Sequence, residues 1–340
     1  MRMLRSLPAF AAAVTLTLPA VLGSAQAQTK ITVGKFLSGS GFHIPSYVAM
    51  DQGFYKAEGL DASFVSLTGR ALVTAGLAGS ADFIPIPSGG AQAALSGAEI
   101  RYVVGESLKS HWVIVARPNV NKVEDLRGKT LGYGRAGSAD YDEGAAVLRR
   151  VFKMEVGKDY KVISFQGEPE RVAALVNGDI EAALISIPHA PKALNAGMKL
   201  LLRTGDHIQR AGGTFWTRKA YVDQNPETVA KFIRAIAKGV MYYRDNKAGS
   251  LKSLKEHLGV DDDKDAGLIW EQTHNTFGAE LPKELFREIF ESRRIEMVAA
   301  KQWPADKPLP DPEQFVTRDL LDSTLKQMGY IPTKLDGPAN

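Results

Sequence analysis

Three of the six histidines in this chain lie in or beside loops that the sequence pattern places at strand ends, namely His43, His111 and His189. Imidazole nitrogens are common zinc ligands, so three of them could in principle form a metal centre. They are too far apart in the chain for a local metal-binding motif, and no acid stands at a ligand-like offset from them. We therefore expect each histidine to make ordinary hydrogen bonds, and we predict no metal site.

A second chemical pattern is the G-x-G-x-x-G run at residues 132–137. It follows a predicted strand and opens a predicted helix at residues 138–152, which is the context of a dinucleotide-binding turn. The run lies mid-chain rather than in the first unit, and the next predicted strand ends in Gln166 instead of the acid that would bind a ribose hydroxyl. We predict no nucleotide and no other cofactor. The run does supply a helix N-terminus with backbone donors, where Ser138 can cap the helix or contact a bound group.

Similar loops of small polar residues recur at other predicted strand ends, at residues 38–43, 87–90 and 186–189. Glycine allows a ligand to approach the backbone closely, and serine adds a rotatable donor. One such serine is usually a helix cap, but several loops at the same topological place favour a binding site. Nearby aromatic side chains such as Phe42, Trp112 and Phe215 could line a pocket or belong to the core.

Hydrolase signatures are absent from the sequence: it has no G-x-S-x-G, no H-E-x-x-H and no Ser-x-x-Lys set with its companion motifs. The acids Asp140, Asp142 and Glu143 fall in the first turns of a predicted helix, where negative charge complements the helix dipole. We therefore expect a binding protein and not an enzyme.

Short apolar strands alternate with amphipathic helices from residue 30 to about residue 202, which predicts a parallel α/β architecture. The last third of the chain is helical in pattern. Its longest predicted helix, residues 226–243, carries one apolar face formed by Val229, Phe232, Ile233, Ile236 and Val240.

An internal echo relates residues 77–97 to residues 175–197. Each segment reads as helix, strand, Ile-Pro, helix and glycine, with Ile86-Pro87 in the first and Ile187-Pro188 in the second. The echo is either a chance recurrence of turn residues or a sign of two lobes with like topology. Two such lobes facing each other would form a ligand cleft. We place the two chain crossings at residues 111–118 and 212–217, where Gly212 and Gly213 could absorb a hinge rotation.

The N-terminus predicts export. Arg2 and Arg5 precede an apolar run at residues 7–22 and an Ala-Gln-Ala sequence that ends at Ala27, which together are typical of a secretory signal peptide. Its removal lowers the formal net charge from +4 to +2, too little to indicate nucleic-acid binding. The chain has no cysteine, so neither a disulfide nor a lipid anchor is available. We expect a free protein in a Gram-negative periplasm.

Three segments resemble the solute-binding proteins of ABC importers that bind taurine, alkanesulfonates, nitrate and thiamine-precursor pyrimidines. Residues 44–61 match the family's helix that ends in Gly-Phe-(Phe/Tyr), followed by Glu-Gly-Leu and a strand. Residues 77–83 match its helix-to-strand turn, and residues 123–132 match its D-L-(K/R)-G-K entry to the second lobe.

The resemblance implies an α/β, two-lobed type II periplasmic binding protein fold with a hinged cleft. After a signal peptide at residues 1–27, lobe 1 would hold residues 28–115 and 213–340, and lobe 2 would hold residues 116–212. A monomer would deliver its solute to an inner-membrane permease. The predicted ligand contacts are loop or helix-start residues, namely Ser40, Phe42, His43, Arg70, Ser88, Ser110, His111, Trp112, Gly137, Ser138, Asp140, Pro188, His189 and Phe215.

Helix N-termini at a cleft favour an anionic solute, and Arg70, Arg135 or Arg210 could add a charged bond. Asp140 would repel an anion or pair with the amine of a zwitterion. We predict a small organic anion, a sulfonate or a carboxylate, with either an aliphatic or an aromatic body. Three alternatives stay open: thiamine-precursor-type pyrimidine binding, a periplasmic sensory binding protein, and a pyrimidine synthase on the same scaffold.

Overall fold

The structure is a computed structural model that describes residues 27–36, 40–136, 138–208 and 210–334. Two predictions concern residues outside that part of the chain. The signal peptide falls almost wholly on residues 1–26, and the predicted ligand contact Gly137 is also outside the described residues.

The nine strands of the described residues are β1 Thr29–Phe36, β2 Leu60–Leu67, β3 Ile100–Ser107, β4 Trp112–Ala116, β5 Thr130–Tyr133, β6 Lys161–Ser164, β7 Ala182–Ser186, β8 Lys199–Arg203 and β9 Gly213–Arg218. The α-helices are α1 Ile44–Asp51, α2 Phe54–Ala57, α3 Gly69–Ala78, α4 Pro87–Leu95, α5 Ala139–Arg150, α6 Glu168–Asn177, α7 Ala190–Asn195, α8 Lys219–Gln224, α9 Pro226–Asp245, α10 Lys247–Leu258, α11 Asp263–Thr273, α12 Lys283–Ala299 and α13 Arg318–Gln327.

Lobe 1 contains a mixed sheet. Strands β1 and β2 are parallel, Val33 of β1 forms a parallel bridge with Phe83, and Ile84 forms an antiparallel bridge with Trp216 of β9, which in turn pairs with β3. The strand predicted before Ile86-Pro87 in the first echo segment is thus reduced to two single bridges. Its prolines at 85 and 87 explain this, because proline has no N–H to give to a sheet ladder.

Lobe 2 contains a five-stranded sheet in the order β6-β5-β7-β4-β8. Strand β5 is parallel to β6 and β7, whereas β4 is antiparallel to β7 and β8. This corrects the predicted boundary, because residues 112–115 were assigned to lobe 1 and belong to the lobe 2 sheet. The chain therefore crosses before Trp112, and the other four residues of β4, Val113 to Ala116, are buried.

The two lobes share one strand plan. In lobe 1 the parallel strands are β1, β2 and the Phe83 segment, and they correspond to β5, β6 and β7 of lobe 2. Each sheet also contains an antiparallel strand that lies next to a chain crossing, which is β9 in lobe 1 and β4 in lobe 2. In both lobes an Ile-Pro turn follows the third parallel segment and opens a helical turn. The internal echo therefore reflects like topology and not a chance recurrence of turn residues.

The cores follow the predicted apolar faces. All five residues of the predicted α9 face are buried, from Val229 to Val240. The segment from Ile44 to Ala57 forms two helices, α1 and α2, because Gly53 adopts a left-handed φ of 70° between them. Among the described residues, none of the helices combines the length and apolarity that crossing a membrane requires.

Candidate functional site

The first loop of lobe 1 is anchored by a buried acid. Ser40 caps the turn at residues 41–43 by accepting a hydrogen bond from the Phe42 amide. The His43 Nδ1 lies 2.5 Å from Oε2 of Glu106, a fully buried residue of β3 whose other oxygen accepts the Ser46 amide at 2.6 Å. His43 therefore has a protein partner, and this pair fixes where the loop meets α1.

Phe42 continues from this loop into an aromatic stack at the first crossing. Its ring lies parallel to His111 with centroids 5.0 Å apart, and it is tilted against Trp112 at 5.2 Å. A Cβ at Gly212 would come within 2.5 Å of the Phe42 ring, so the close approach of the second crossing requires glycine. The structure thus brings both crossings together around Phe42.

His111 is fully buried in this stack and its Nε2 lies 2.6 Å from the Thr276 hydroxyl. Burial lowers the pKa of His111 to about 3, so its ring is neutral at physiological pH. The described residues contain no group of side chains placed to hold a metal ion.

The two lobes touch at Gly41 and Pro188. A Cβ built on Gly41 would lie 2.5 Å from Cγ of Pro188, so only glycine fits at this contact. On the lobe 2 side, Glu168 accepts hydrogen bonds from the Ser186 amide at 2.5 Å and from the Ser186 hydroxyl at 2.8 Å, while His189 stands 4.0 Å from the same carboxylate. The Ile-Pro turn of lobe 2 is therefore held rigidly where lobe 1 meets it.

The start of α4 presents an uncharged helix N-terminus on the lobe 1 side. The Ile86 carbonyl accepts a hydrogen bond from Trp216 Nε1 at 3.0 Å, and the Pro87 carbonyl accepts one from the Tyr102 hydroxyl. The first turn contains no acid, and Ser88 within it is half-buried. The positive end of this helix dipole is not neutralised by its own side chains.

The start of α5 is different, because it carries three buried acids. Asp140 accepts hydrogen bonds from the Gly134 amide at 2.9 Å and from the Ser138 hydroxyl. The hydroxyls of Ser110 and Thr204 both donate to Glu143. The polar groups of Ser110, Ser138 and Asp140, which were predicted to contact the ligand, thus have partners within the protein.

Each of these acids also lies beside an arginine from a different element. Asp140 is 2.8 Å from Arg171 of α6, Asp142 is 2.9 Å from Arg293 of α12, and Glu143 is 3.4 Å from Arg210, which precedes the second crossing. The Arg293 contact joins lobe 1 to lobe 2. The cluster is therefore both a part of lobe 2 and a bridge between the lobes.

Arg171 and Arg293 were missed from the sequence, although a signal exists. Arg293 lies on the same helix face as Phe286, Ile289, Phe290 and Met297, all of which are buried. A charged residue at an apolar position of a helical repeat must find a buried partner, so this pattern could have marked it.

Two predicted contacts, Phe215 and Arg70, have opposite exposure. The ring of Phe215 has no exposed surface and packs between His43 and Phe232. Arg70 is exposed and lines an open groove with Thr74 and Ala78 of the same helix, α3.

A cavity of about 190 Å³ lies between the lobes beside the aromatic stack. Its wall contains residues of the first crossing, the end of β8 and the C-terminal helices, including Lys109, Ser110, Trp112, Arg203, Asp206 and Gln272. Lys109 pairs with Asp206 at 2.8 Å, and Arg203 donates to Gln272 of lobe 1 at 3.1 Å. The cavity is therefore polar and is bounded by both lobes.

Comparison with known proteins gives matches over most of the chain. The family model described as NMT1/THI5 like matches residues 41–248. YtlA of Bacillus subtilis (strain 168) is 26% identical over 266 residues, which is 71% of this chain and 73% of YtlA.

Two solved structures have a similar fold. The periplasmic aliphatic sulphonate binding protein SsuA of Escherichia coli is 17% identical with a TM-score of 0.71, covering 92% of this chain and 95% of SsuA. The periplasmic nitrate-binding protein NrtA of Synechocystis PCC 6803 is 16% identical with a TM-score of 0.71, covering 92% of each chain. These likenesses show a periplasmic binding protein fold with two lobes.

Proposed function

The chain belongs to the NMT1/THI5-like family, and from this premise we propose that it is the solute-binding subunit of an ABC importer. It would work in the periplasm after removal of the predicted signal peptide and deliver its solute to an inner-membrane permease. The observation that carries the proposal is the contact of Gly41 in lobe 1 with Pro188 in lobe 2. Two lobes of like topology that meet through their strand-end loops can enclose a solute between them.

We propose that the solute is a small organic anion, a sulfonate or a carboxylate. The α4 N-terminus supports this, because it has no acid of its own and attracts negative charge. The stack of Phe42 on Trp112 and His111 supports an organic body beside the charged group. The aliphatic sulphonates and nitrate named for the two solved relatives are anions as well.

A binding role is favoured over catalysis by the state of the histidines. His43 is engaged by the buried Glu106, and His111 is neutral and packed between aromatic rings. Neither histidine is arranged as a general base beside an exposed nucleophile.

The test is isothermal titration of the mature protein with sulfonates, carboxylates and pyrimidines in parallel. We expect saturable binding of at least one anion with a Kd of about 10 μM or lower. Binding of only an uncharged or cationic solute would refute the anion proposal, and binding of only pyrimidines would favour the thiamine-precursor alternative. Turnover of any bound compound would instead support an enzyme.

Transport is tested separately in the source cells. Deleting the gene should abolish uptake of the radiolabelled solute at low concentration, and the wild-type gene should restore it. Unchanged uptake together with tight binding in vitro would assign the protein to a sensory role.

A further inference from the structure

The polar cavity between the lobes has a surplus of positive charge. The charged side chains in its wall are Lys109, Arg203 and Asp206. Asp206 Oδ1 lies 2.8 Å from Nζ of Lys109, so the acid and the lysine neutralise each other. His111 also lines the wall, but its burial keeps the ring uncharged. The described wall therefore leaves one cation, Arg203, without a compensating charge.

The guanidinium of Arg203 has a neutral partner. Its Nη2 donates to Oε1 of Gln272 at 3.1 Å, and none of the described carboxylates lies within ion-pair distance of it. A guanidinium carries five N–H donors, so one hydrogen bond to an amide leaves most of them available. Arg203 is half-buried, where its charge is screened less than on an open surface. The side chain is thus a partly desolvated cation with unused donors.

The hydrogen bond of Arg203 joins the two lobes across the cavity. Arg203 ends β8 of lobe 2, whereas Gln272 lies on α11 of lobe 1. Because Arg203 uses the amide oxygen of Gln272, the NH2 group of Gln272 is left as a donor. A Cβ on Gly205 would lie 2.6 Å from the Ser110 carbonyl oxygen, so the turn after β8 packs directly on the first crossing. The wall is therefore formed without a ligand and offers donors from both lobes.

We propose that this cavity is a second anion site, and that it takes a small oxyanion with one negative charge, such as a free carboxylate. One uncompensated cation matches one negative charge, and the N–H fork of arginine matches two carboxylate oxygens. The volume of about 190 Å³ holds an ion of a few non-hydrogen atoms together with water. Gln272 is exposed, and the side chains of Lys109 and Asp206 are 24% and 30% exposed, so an ion can enter from solvent.

The second site is separate from the start of α4, because none of the described residues in its wall belongs to that helix. An oxyanion that contacts both lobes stabilises the arrangement in which Gly41 meets Pro188 over arrangements in which the lobes have moved. A solute enclosed between the lobes favours the same arrangement, so the two anions should strengthen each other's binding. This coupling rests on the proposed function, whereas the second site does not.

Acetate is the probe, and the fluorescence of Trp112 in the cavity wall is the readout in the mature, solute-free protein. At constant ionic strength, wild type should respond saturably with a Kd on the order of 1 mM. W112F should lack the signal, which assigns it among the four tryptophans. R203Q should bind acetate at least roughly tenfold more weakly.

Arg101 of β3 provides the matched control for Arg203. It is also half-buried and donates to a neutral partner, the Ile100 carbonyl at 2.8 Å, but it lies outside the cavity. R101Q should therefore bind acetate like wild type. Wild-type affinity in R203Q would overturn the second site, and an equal response of wild type to chloride would overturn its assignment to an oxyanion.

The acid in the wall allows a gain-of-function test that a merely structural role of Arg203 would not predict. D206N removes the one negative charge of the described wall and releases Lys109 from its ion pair. It should bind acetate roughly fivefold more tightly than wild type. Unchanged or weaker binding by D206N would overturn the proposal, and this variant decides the matter if R203Q does not fold.

Titration with benzenesulfonate then tests the coupling and separates the two proposals. Saturating acetate should raise the sulfonate affinity of wild type by about threefold and leave that of R203Q unchanged. An equal fall in both proteins would show that acetate competes at the solute site, against a second site. An acetate response without binding of any organic solute anion would overturn the proposed solute alone, and tight solute binding without an acetate response would overturn the second site alone.

Discussion

The first helices of the two lobes, α1 and α5, occupy the same topological position, but the buried side chains at their starts differ in charge. After β1, lobe 1 enters α1 through His43, which a buried acid, Glu106, holds in place. After β5 in lobe 2, the first turn of α5 carries the buried acids Asp140 and Asp142, and each is paired with an arginine. The shared topology determines where each helix begins, whereas the side chains determine the charge at that helix start. We expect the anionic group of the solute to lie on the lobe 1 side, at the uncharged start of α4.

The largest expected effect tests this difference directly, by removing the acid in each lobe. Asp140→Ala leaves Arg171, 4% exposed, without its carboxylate, and arginine cannot lose its charge. We expect a loss of about 3–5 kcal/mol in the free energy of unfolding. Glu106→Ala should cost less, about 1–3 kcal/mol, because it removes hydrogen bonds from His43 and from the Ser46 amide but leaves no buried arginine without its carboxylate.

Urea unfolding of both variants at neutral pH measures these costs. The double variant D140A/R171M should recover most of the loss in lobe 2, because it removes both charges at once. Equal losses for D140A and E106A, or no recovery in the double variant, would contradict the contrast between the lobes.

The next effect concerns the place where the lobes meet. Gly41→Val adds atoms that overlap Pro188 and prevents full closure without touching either core. We expect solute affinity to fall by roughly a hundredfold, about 2.7 kcal/mol, with little change in thermal stability. Gly167→Ala is the matched control, because its added Cβ would be 3.5 Å from Pro169, an ordinary contact. Normal binding by G41V would show that this contact does not limit closure.

The smallest effect concerns the aromatic stack between the two crossings. The pKa of His111 is about 3 in the folded protein and close to 6.5 when unfolded, so the unfolded chain takes up a proton first as the pH falls. Wild type should therefore lose about 2 kcal/mol of stability between about pH 7.5 and about pH 5 through this residue. His111→Phe should lack that loss. Parallel pH slopes of unfolding free energy in the two proteins would show that His111 is not the cause.

Much of the fold could be predicted because it depends on periodic patterns. The paired Ile-Pro turns and the apolar face of α9 are local signals, and both are found as expected. The sheet that contains Trp112–Ala116 could not be predicted, because alternating apolar residues suit a strand in either lobe. Only the hydrogen bonds of β4 to β7 and β8 show that this strand belongs to the sheet of lobe 2.

The candidate site was harder to predict because its charges are paired over long distances in the chain. Asp142 and Arg293 are 151 positions apart, and the local sequence around either residue does not indicate that the other is its partner. The predicted strand-end loops are brought together, since loop position follows from topology: Phe42 packs near Trp112, and Pro188 lies against Gly41. An aromatic residue near a glycine pair suits a pocket wall as well as a core, and Phe215 is fully buried between His43 and Phe232.

The order of the strands along the chain has a consequence for biogenesis. Strands β4 to β8 form one uninterrupted stretch, whereas β3 pairs with β9, which emerges only after that whole stretch has been made. A polypeptide that passes through a secretion channel from its N-terminus would therefore complete the sheet of lobe 2 before that of lobe 1. Lobe 1 would remain incomplete, with part of its core exposed, until β9 and the C-terminal helices had emerged. During that interval chaperones would bind lobe 1 and proteases would cleave it most readily.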